Sequence, residues 1–249
     1  MPDVLDRLER GRWRALAHRR NSLPRDPVEI MRAAGQEPDD WQAEYLRRPF
    51  IPNDRELLLC CRGAGKTRAT AARSLWRMLT RPGHRTLFFA PTQRQTDEMM
   101  AYLYDFWHAL GRPLAGRKRA PTEAARSLKL VNGSRALALT DNQKGVRGFH
   151  VQEIVLDEAA QISDTLFYSV RAMVLRSRGG LVVPSTPYGK RGWFFEEWAD
   201  EERRWQRMSI NAGQCGRYSD EQLAEERKSM GERWFKQEFE CSFEDTVNA

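Results

Sequence analysis

The sequence lacks several features that would define common protein classes. No apolar run approaches the length of a membrane span, and the first residues are charged where a secretory signal would be apolar, so we expect a soluble, unprocessed protein. The four cysteines, Cys60, Cys61, Cys215 and Cys241, form no Cys-x-x-C pair. This spacing excludes the usual zinc modules and secreted disulfide frameworks, and a reducing cytoplasm fits it best.

The sequence also has no internal repeat at a fixed period and no low-complexity segment, which excludes repeat architectures and long disordered tails. Its 249 residues are enough for one sizeable core. The 41 Lys and Arg residues exceed the 34 Asp and Glu residues, which gives a formal net charge of +7. This excess favours a polyanionic partner such as nucleic acid, although a well-solvated surface explains it equally well.

The pattern of apolar residues divides the chain into three parts. Residues 1–37 alternate apolar and charged positions at helical spacing around Pro24 and Pro27, which predicts an accessory segment of two short helices. Residues 38–212 alternate apolar runs with helical stretches, which predicts a mostly parallel sheet covered by helices. The predicted strands are ELLLCC, TLFFAP, the two arms of a hairpin in SLKLVNGSRALAL, EIVLDEA, GLVVPST and WQRMSI.

The last part, residues 213–249, is polar and helical. Ser219 precedes DEQLAEERKSM as a predicted N-cap, and a second helix is predicted through ERWFKQEFEC. We interpret this part as a small subdomain and call it the lid.

The strongest chemical signal is the segment Cys60–Thr67, CCRGAGKT, which lies between a predicted strand and a predicted helix. Its small residues allow backbone N–H groups to surround a phosphate at the helix N-terminus. Lys66 would neutralise the β- and γ-phosphates, and the Thr67 hydroxyl would help to coordinate Mg²⁺. Cys60 replaces the first glycine of the usual G-x-x-x-x-G-K-T pattern, and a chance G-K-T triplet at a helix start is the alternative interpretation.

A second signal is the acidic pair Asp157-Glu158, which directly follows the apolar run Ile154–Leu156. Open parallel sheets bind ligands at the carboxyl ends of their strands. Asp157 suits a magnesium position, and Glu158 suits the general base that polarises an attacking water. An acidic start of the next helix is the alternative. The TLFFAP strand lies between the two motifs in sequence, as in P-loop proteins that use a catalytic glutamate.

In their order and approximate spacing, five motifs resemble the ATPase motifs of phage and herpesvirus-type large terminase subunits. The resemblance covers most of residues 38–245, and that family tolerates loss of the first glycine of the loop. It implies a RecA-like P-loop NTPase of the additional-strand, catalytic-glutamate type. The motifs are CRGAGKT, LFFAPTQRQ, VRGFH, IVLDEAAQ and VPSTPYGKRGWFFEEW.

The resemblance implies several nucleotide contacts by position. Trp41 and Gln42 match the adenine-reading segment upstream of the loop, whereas a helix start with a buried Trp is the alternative. Arg62 matches the family's phosphate-loop arginine, which contacts the γ-phosphate or couples it to the lid; a surface ion pair is the alternative. The implied nucleotide-binding residues are Trp41, Gln42, Cys61, Arg62, Gly63, Ala64, Gly65, Lys66 and Thr67.

Two further segments match family motifs. Arg147, in GVRGFH, matches an arginine finger that reaches across a subunit boundary and stabilises the transferring phosphoryl group. DNA contact or simple solvation is the alternative. Ser185, Thr186 and Pro187 match the motif that couples hydrolysis to DNA movement, and a strand-ending turn is the alternative. The implied catalytic residues are Glu158, Arg147, Lys66 and Arg62, and the implied Mg²⁺ ligands are Thr67 and Asp157.

The resemblance implies that ATP hydrolysis drives double-stranded DNA into a preformed capsid, with ATP and Mg²⁺ as ligands. The implied assembly is a homo-oligomeric ring on a capsid portal, monomeric in isolation, which works with the portal protein and a small terminase subunit in the cytoplasm of a bacterial host. No membrane partner is expected. The resemblance implies that residues 213–249 hold the lid and the start of a linker to a nuclease domain that this sequence lacks, so no nuclease activity is expected. Arg94 and the loop Arg112–Arg119 are candidates for DNA contact or simply solvated.

Two alternatives remain open from the sequence. The first is a superfamily 2 helicase-like ATPase domain, which shares segments similar to APT, DE and S-x-T but takes its arginine finger from a second domain. The second is a nucleotide-dependent DNA-binding scaffold with little turnover.

Overall fold

The computed structural model describes five stretches of the chain, which are residues 23–51, 53–116, 123–124, 126–141 and 150–245. The predicted helical structure before residue 23 therefore lies outside the described residues. Within the described stretches, no helix is both long and apolar enough to span a bilayer.

The described residues form helices and strands that alternate along the chain. The strands are β1 (Arg55–Cys60), β2 (Arg85–Ala90), β3 (Glu123–Ala124), β4 (Ser127–Lys129), β5 (Arg135–Thr140), β6 (Glu153–Leu156), β7 (Gly180–Ser185) and β8 (Gln206–Ile210). The helices are α1 (Glu29–Ala33), α2 (Asp40–Arg47), α3 (Lys66–Thr80), α4 (Gln93–Ala109), α5 (Asp164–Ser177), α6 (Gly192–Ala199), α7 (Ala212–Cys215), α8 (Asp220–Met230) and α9 (Glu232–Phe239).

The strands form one sheet in the order β3-β4-β5-β2-β6-β7-β1-β8. The six strands from β5 to β8 in this order are parallel, and β4 is antiparallel to both β3 and β5. Every residue of β6 and β7 is buried, so the centre of the sheet is covered on both faces. The predicted mostly parallel sheet flanked by helices is confirmed.

The arrangement of the central strands places the two predicted motifs near each other. Although β2 lies between them in sequence, the strand that separates β1 from β6 in the sheet is β7. The carboxyl ends of β1, β7 and β6 therefore lie side by side, below the segments that follow Cys60, Ser185 and Leu156. This edge of the sheet is where ligands of open parallel sheets bind.

Local sequence signals account for several element boundaries. The predicted hairpin is formed by β4 and β5, and Gly133 adopts a φ of 86° in its turn, a conformation that favours glycine. Ser219 caps α8 as predicted, because its hydroxyl accepts a hydrogen bond from the Gln222 N–H at 3.2 Å and the Gln222 side chain accepts one from the Ser219 N–H at 2.9 Å.

A buried ionic cluster fastens α3 to the amino ends of the strands. Arg73 pairs with Glu56 of β1, and Arg77 pairs with Glu153 of β6. His84 Nε2 lies 3.5 Å from a Glu153 carboxylate oxygen, which also accepts a hydrogen bond from Thr86 at 3.0 Å. Although burial raises the pKa of Glu153, Arg77 and His84 outweigh that effect and hold it below its usual range. The cluster therefore compensates the charges that it buries.

Candidate nucleotide site at the carboxyl ends of the central strands

The segment after β1 has the geometry of a phosphate-binding loop. Gly63 and Gly65 adopt φ angles of 72° and 83°, which lie in the left-handed region that favours glycine. Ala64 between them is buried, and α3 begins at Lys66. The loop therefore leads into a helix N-terminus, whose free N–H groups and positive dipole end attract anions.

Four side chains of the two predicted motifs meet at this loop. The Lys66 ammonium lies 2.8 Å from Glu158 Oε1, and the Thr67 hydroxyl donates a hydrogen bond to Asp157 Oδ2 at 2.8 Å. Burial lowers the pKa of Lys66, but Glu158 and Asp157 outweigh burial and raise it, so the ammonium stays charged. The structure thus brings together residues that are ninety positions apart in the sequence.

Asp157 has the chemistry of a magnesium position. Its side chain is buried, and burial together with the neighbouring Glu158 raises the pKa of the carboxyl above its ordinary value. Oδ1 is buried without a hydrogen-bond partner among the described residues, whereas Oδ2 accepts the Thr67 hydroxyl. A free carboxylate oxygen beside a threonine hydroxyl fits a cation that prefers oxygen ligands, so these residues fit Mg²⁺.

Glu158 is turned toward the loop by its own backbone. Its φ of 50° and ψ of 46° are left-handed, an uncommon conformation for a residue other than glycine or asparagine. The chain then forms a short 3₁₀ helix over Ala159–Gln161. This turn directs the Glu158 carboxylate to Lys66 on one side and to Thr186 on the other. Backbone strain at such positions is common in functional sites.

The predicted coupling motif lies next to Glu158. Thr186 donates a hydrogen bond from its hydroxyl to Glu158 Oε2 at 3.3 Å, and Ser185 Oγ accepts one from the Ala160 N–H at 3.0 Å. Ser185 is the last residue of β7, and Pro187 follows within the same connection. The position of the motif beside Glu158 agrees with the prediction, and its coupling role stays a prediction.

Gln42 contacts the phosphate loop through its side-chain amide. Nε2 donates to the Ala64 and Gly65 carbonyls at 3.3 and 3.4 Å, and Oε1 accepts from the Asp39 N–H at 3.0 Å. Trp41 is buried and packs near Tyr45, and its indole N–H has no partner among the described residues. The predicted adenine-reading segment thus adjoins the loop, and its role in reading the base stays a prediction.

The lid contacts the phosphate loop through lid residues that the sequence did not single out. The Arg62 guanidinium pairs with Glu238 of α9, and the Arg62 N–H donates to the Glu238 carbonyl at 2.7 Å. Arg217 and Tyr218, between α7 and α8, donate hydrogen bonds to loop carbonyls. No motif marks these lid residues. Each lies more than 150 positions from the loop in the sequence, so only the folded structure shows that they contact it.

The four cysteines lie together where β1, the loop and the lid meet. Cys61 Sγ and Cys215 Sγ are 3.9 Å apart, and the Cys241 thiol donates to the Ile210 carbonyl at 3.1 Å. All four thiols are free and buried. Burial raises the pKa of the Cys60, Cys61 and Cys241 thiols, which suppresses the reactive thiolate.

The remaining predicted residues lie apart from this site or outside the described residues. Arg147 and residues 117–119 of the basic loop are outside the described residues. Arg94 is exposed in the first turn of α4. The Arg112 guanidinium carbon lies 5.1 Å from the centroid of the Trp107 ring, within the range of a cation–π contact. Their roles stay predictions.

The glycine-rich loop, the acidic pair on a nearby strand end and the strand between them define a P-loop NTPase of the RecA-like class. The chain belongs to the family described as terminase large subunit, T4likevirus-type, N-terminal, whose profile matches residues 57–249. No protein of curated function matches the sequence.

Solved structures of phage terminases share the fold. The large terminase ATPase domain of Thermus phage P74-26 matches with a TM-score of 0.71 and 18% identity, over 86% of this chain and 96% of that chain. The large terminase of the thermophilic bacteriophage D6E in complex with ADP matches with a TM-score of 0.67 and 14% identity, over 83% of this chain and 54% of that one. Its complex with ATP-γ-S gives a TM-score of 0.64, with 14% identity over 83% and 53% of the two chains. This chain therefore spans about half the length of the D6E protein.

Proposed function

We propose that this chain is the ATP-hydrolysing domain of a DNA-packaging motor. The observation that carries the proposal is the convergence of Lys66, Thr67, Asp157 and Glu158 at one loop. Membership of the terminase family and the shared fold support it, as do relatives whose structures contain ADP or ATP-γ-S. The fold match to terminase ATPase domains does not favour the helicase alternative.

The site residues divide the chemistry among them. The loop N–H groups and Lys66 bind the phosphates, and Thr67 and Asp157 would hold Mg²⁺. When bound there, Mg²⁺ would neutralise part of the phosphate charge. Because Lys66 contacts Glu158 at 2.8 Å, phosphate oxygens compete with Glu158 for the same ammonium. Triphosphate binding thereby frees the Glu158 carboxylate to accept the proton of an attacking water.

The proposal extends to the assembly. A homo-oligomeric ring of these chains, docked on the portal, uses ATP hydrolysis to move double-stranded DNA into a capsid. The ring works with a small terminase subunit in the host cytoplasm. Arg147 supplies the finger to a neighbouring site, and Ser185 to Pro187 pass the state of that site to the parts that hold DNA. The family and the basic charge of +7 support a nucleic-acid partner.

Glu158→Gln tests the catalytic proposal. Phosphate release in the presence of duplex DNA should fall by roughly 10²- to 10⁴-fold, the usual contribution of a general base, while ATP-γ-S binding measured by calorimetry is retained. Glu196→Gln is a matched control, since Glu196 is exposed on α6 and has no side-chain partner among the described residues. If wild type releases phosphate no faster than Glu158→Gln, the scaffold alternative is correct and the catalytic role is wrong.

A further inference from the structure

Two neighbouring lid side chains hold the outer surface of the phosphate loop. Tyr218 Oη donates a hydrogen bond to the Arg62 carbonyl at 2.7 Å. Arg217 Nη1 donates to the Gly63 carbonyl at 3.1 Å, and Arg217 Nε donates to Asp39 Oδ2 at 2.7 Å. Arg217 therefore joins the loop to the start of α2, which carries Trp41 and Gln42.

Tyr218 and Arg217 approach the loop so closely that a side chain at position 63 or 65 would collide with them. A Cβ atom on Gly63 would lie 2.1 Å from Tyr218 Oη, and one on Gly65 would lie 2.9 Å from Arg217 Nη1. Both distances are shorter than real Cβ contacts. Gly63 thus serves the contact with the lid as well as the turn of the loop, whereas at Gly65 such a Cβ would lie nearer still to Gln42 Nε2, at 2.7 Å.

These contacts fix the direction of the loop's peptide groups. In a trans peptide the C=O and the following N–H point in opposite directions. A carbonyl held outward by the lid therefore turns the next N–H toward the concave side of the loop. The Ala64 N–H, which follows the Gly63 carbonyl, donates across the loop to the Cys61 carbonyl at 3.4 Å, whereas the Gly63 N–H, which follows the Arg62 carbonyl, has no backbone acceptor among the described residues.

We infer that Arg217 and Tyr218 are positioning residues of the nucleotide site, which hold the loop N–H groups in the orientation that binds phosphate. The inference rests on the proposed function. Neither side chain contacts Lys66, Asp157 or Glu158 in a hydrogen bond or ion pair of the described residues. Their effect therefore falls on nucleotide affinity, and the rate of the chemical step is unchanged when the site is saturated.

Tyr218→Phe and Arg217→Met test the inference. Tyr218→Phe deletes one hydrogen bond and should weaken ATP-γ-S binding roughly fivefold, and Arg217→Met deletes two charge-assisted bonds and should weaken it roughly tenfold or more. The readouts are Kd from calorimetry and the separate KM and kcat for DNA-stimulated phosphate release. We expect KM to rise and kcat to stay within twofold, roughly.

Matched controls are Tyr168→Phe and Arg233→Met. Tyr168 is exposed on α5, and Arg233 is a half-buried lid residue whose guanidinium lies over the ring of its neighbour Trp234. Both should bind ATP-γ-S like wild type. Arg217→Lys keeps the charge but offers no planar fork for two acceptors, so it should recover part of the affinity that Arg217→Met loses.

The outcomes separate the inference from the proposed function. If wild type binds ATP-γ-S and Lys66→Ala does not, but Tyr218→Phe and Arg217→Met keep the wild-type Kd, the inference is overturned. A fall in kcat with unchanged Kd overturns it as well. If wild type itself fails to bind, or Lys66→Ala binds equally well, the proposed function fails. Should Arg217→Met be unfolded in thermal melts, Tyr218→Phe decides alone, because it removes a single oxygen atom.

Discussion

At the scale of one residue, the Asp157 carboxyl that suits Mg²⁺ binding also lowers the stability of the metal-free protein. The buried carboxyl has one oxygen without a partner among the described residues, and its pKa is raised by burial and by Glu158. An acid whose pKa is higher in the folded state stabilises the fold at low pH and loses that contribution as the pH rises through the folded-state pKa. In the absence of Mg²⁺, Asp157 therefore destabilises the protein at neutral and alkaline pH.

We predict that Asp157→Asn abolishes Mg²⁺-dependent phosphate release and stabilises the metal-free protein at pH 8. The free energy of unfolding should rise by about 1–4 kcal/mol, and the gain should disappear as the pH falls below about 4, where the wild-type carboxyl is protonated in both states. Urea denaturation across this pH range measures it. Asp105→Asn, at an exposed position on α4, should show no such gain. A destabilised Asp157→Asn at pH 8 would contradict the prediction.

A site residue could be predicted from the sequence when it belongs to a motif of neighbouring residues. Lys66, Thr67, Asp157 and Glu158 follow from motifs next to strand ends, and the structure brings them together. Arg217 could not be predicted, because its partners Gly63 and Asp39 are distant in sequence and only the packing of the lid joins them.

At the scale of the element, helix α3 has two roles: its start belongs to the nucleotide site, and two of its arginines bind it to the sheet. Its first turn forms the phosphate loop's helix, and Arg73 and Arg77, one turn apart, pair with carboxylates at the amino ends of β1 and β6. A helix fixed in this way keeps Lys66 and Thr67 in register with the strand ends that carry Asp157 and Glu158.

Arg77→Met tests how strongly this cluster stabilises the fold. It leaves the buried Glu153 carboxylate with only His84 and Thr86 beside it and should lower the free energy of unfolding at pH 7 by about 3–5 kcal/mol. Because the pKa of Glu153 is lowered in the folded state, its stabilisation is present above the ordinary carboxyl range and is lost as the pH falls. Denaturant titrations at pH 7 and pH 4 should thus show a smaller difference from wild type at pH 4. Arg176→Met, exposed at the end of α5, is the control and should cost little.

The elements themselves were largely predictable. Apolar runs predicted the buried strands, Asn132-Gly133 predicted the hairpin turn, and Ser219 predicted the start of α8. The lateral order of the strands was not available from these local patterns, since it depends on long-range pairing. That is why TLFFAP was identified as the strand between the motifs in sequence, whereas β7 lies between β1 and β6 in the sheet.

At the scale of the whole molecule, the proposed function is that of a motor that works as an assembly. Arg147 lies outside the described residues, so its proposed action on a neighbouring subunit is best tested by measuring the phosphate release of mixed variants. Arg147→Ala chains keep an intact site but lack the finger, whereas Lys66→Ala chains keep the finger but lack a working site.

Mixing the two variants on duplex DNA should restore part of the phosphate release that each variant lacks alone. Recovery should peak at an intermediate ratio, because a Lys66→Ala chain can donate Arg147 to an Arg147→Ala neighbour. Mixing either variant with the doubly substituted chain provides the control. An absence of recovery at every ratio would argue against action between subunits.

The contact between Gly63 and Tyr218 has a consequence for how this protein can diverge. A Cβ atom at position 63 would lie 2.1 Å from the tyrosine hydroxyl, so any side chain there would push Tyr218 away from the loop. A residue other than glycine at position 63 would therefore keep the lid contact only if residue 218 moved or changed as well. The residues that position 63 tolerates therefore depend on the residue at position 218, although 154 other residues separate them along the chain.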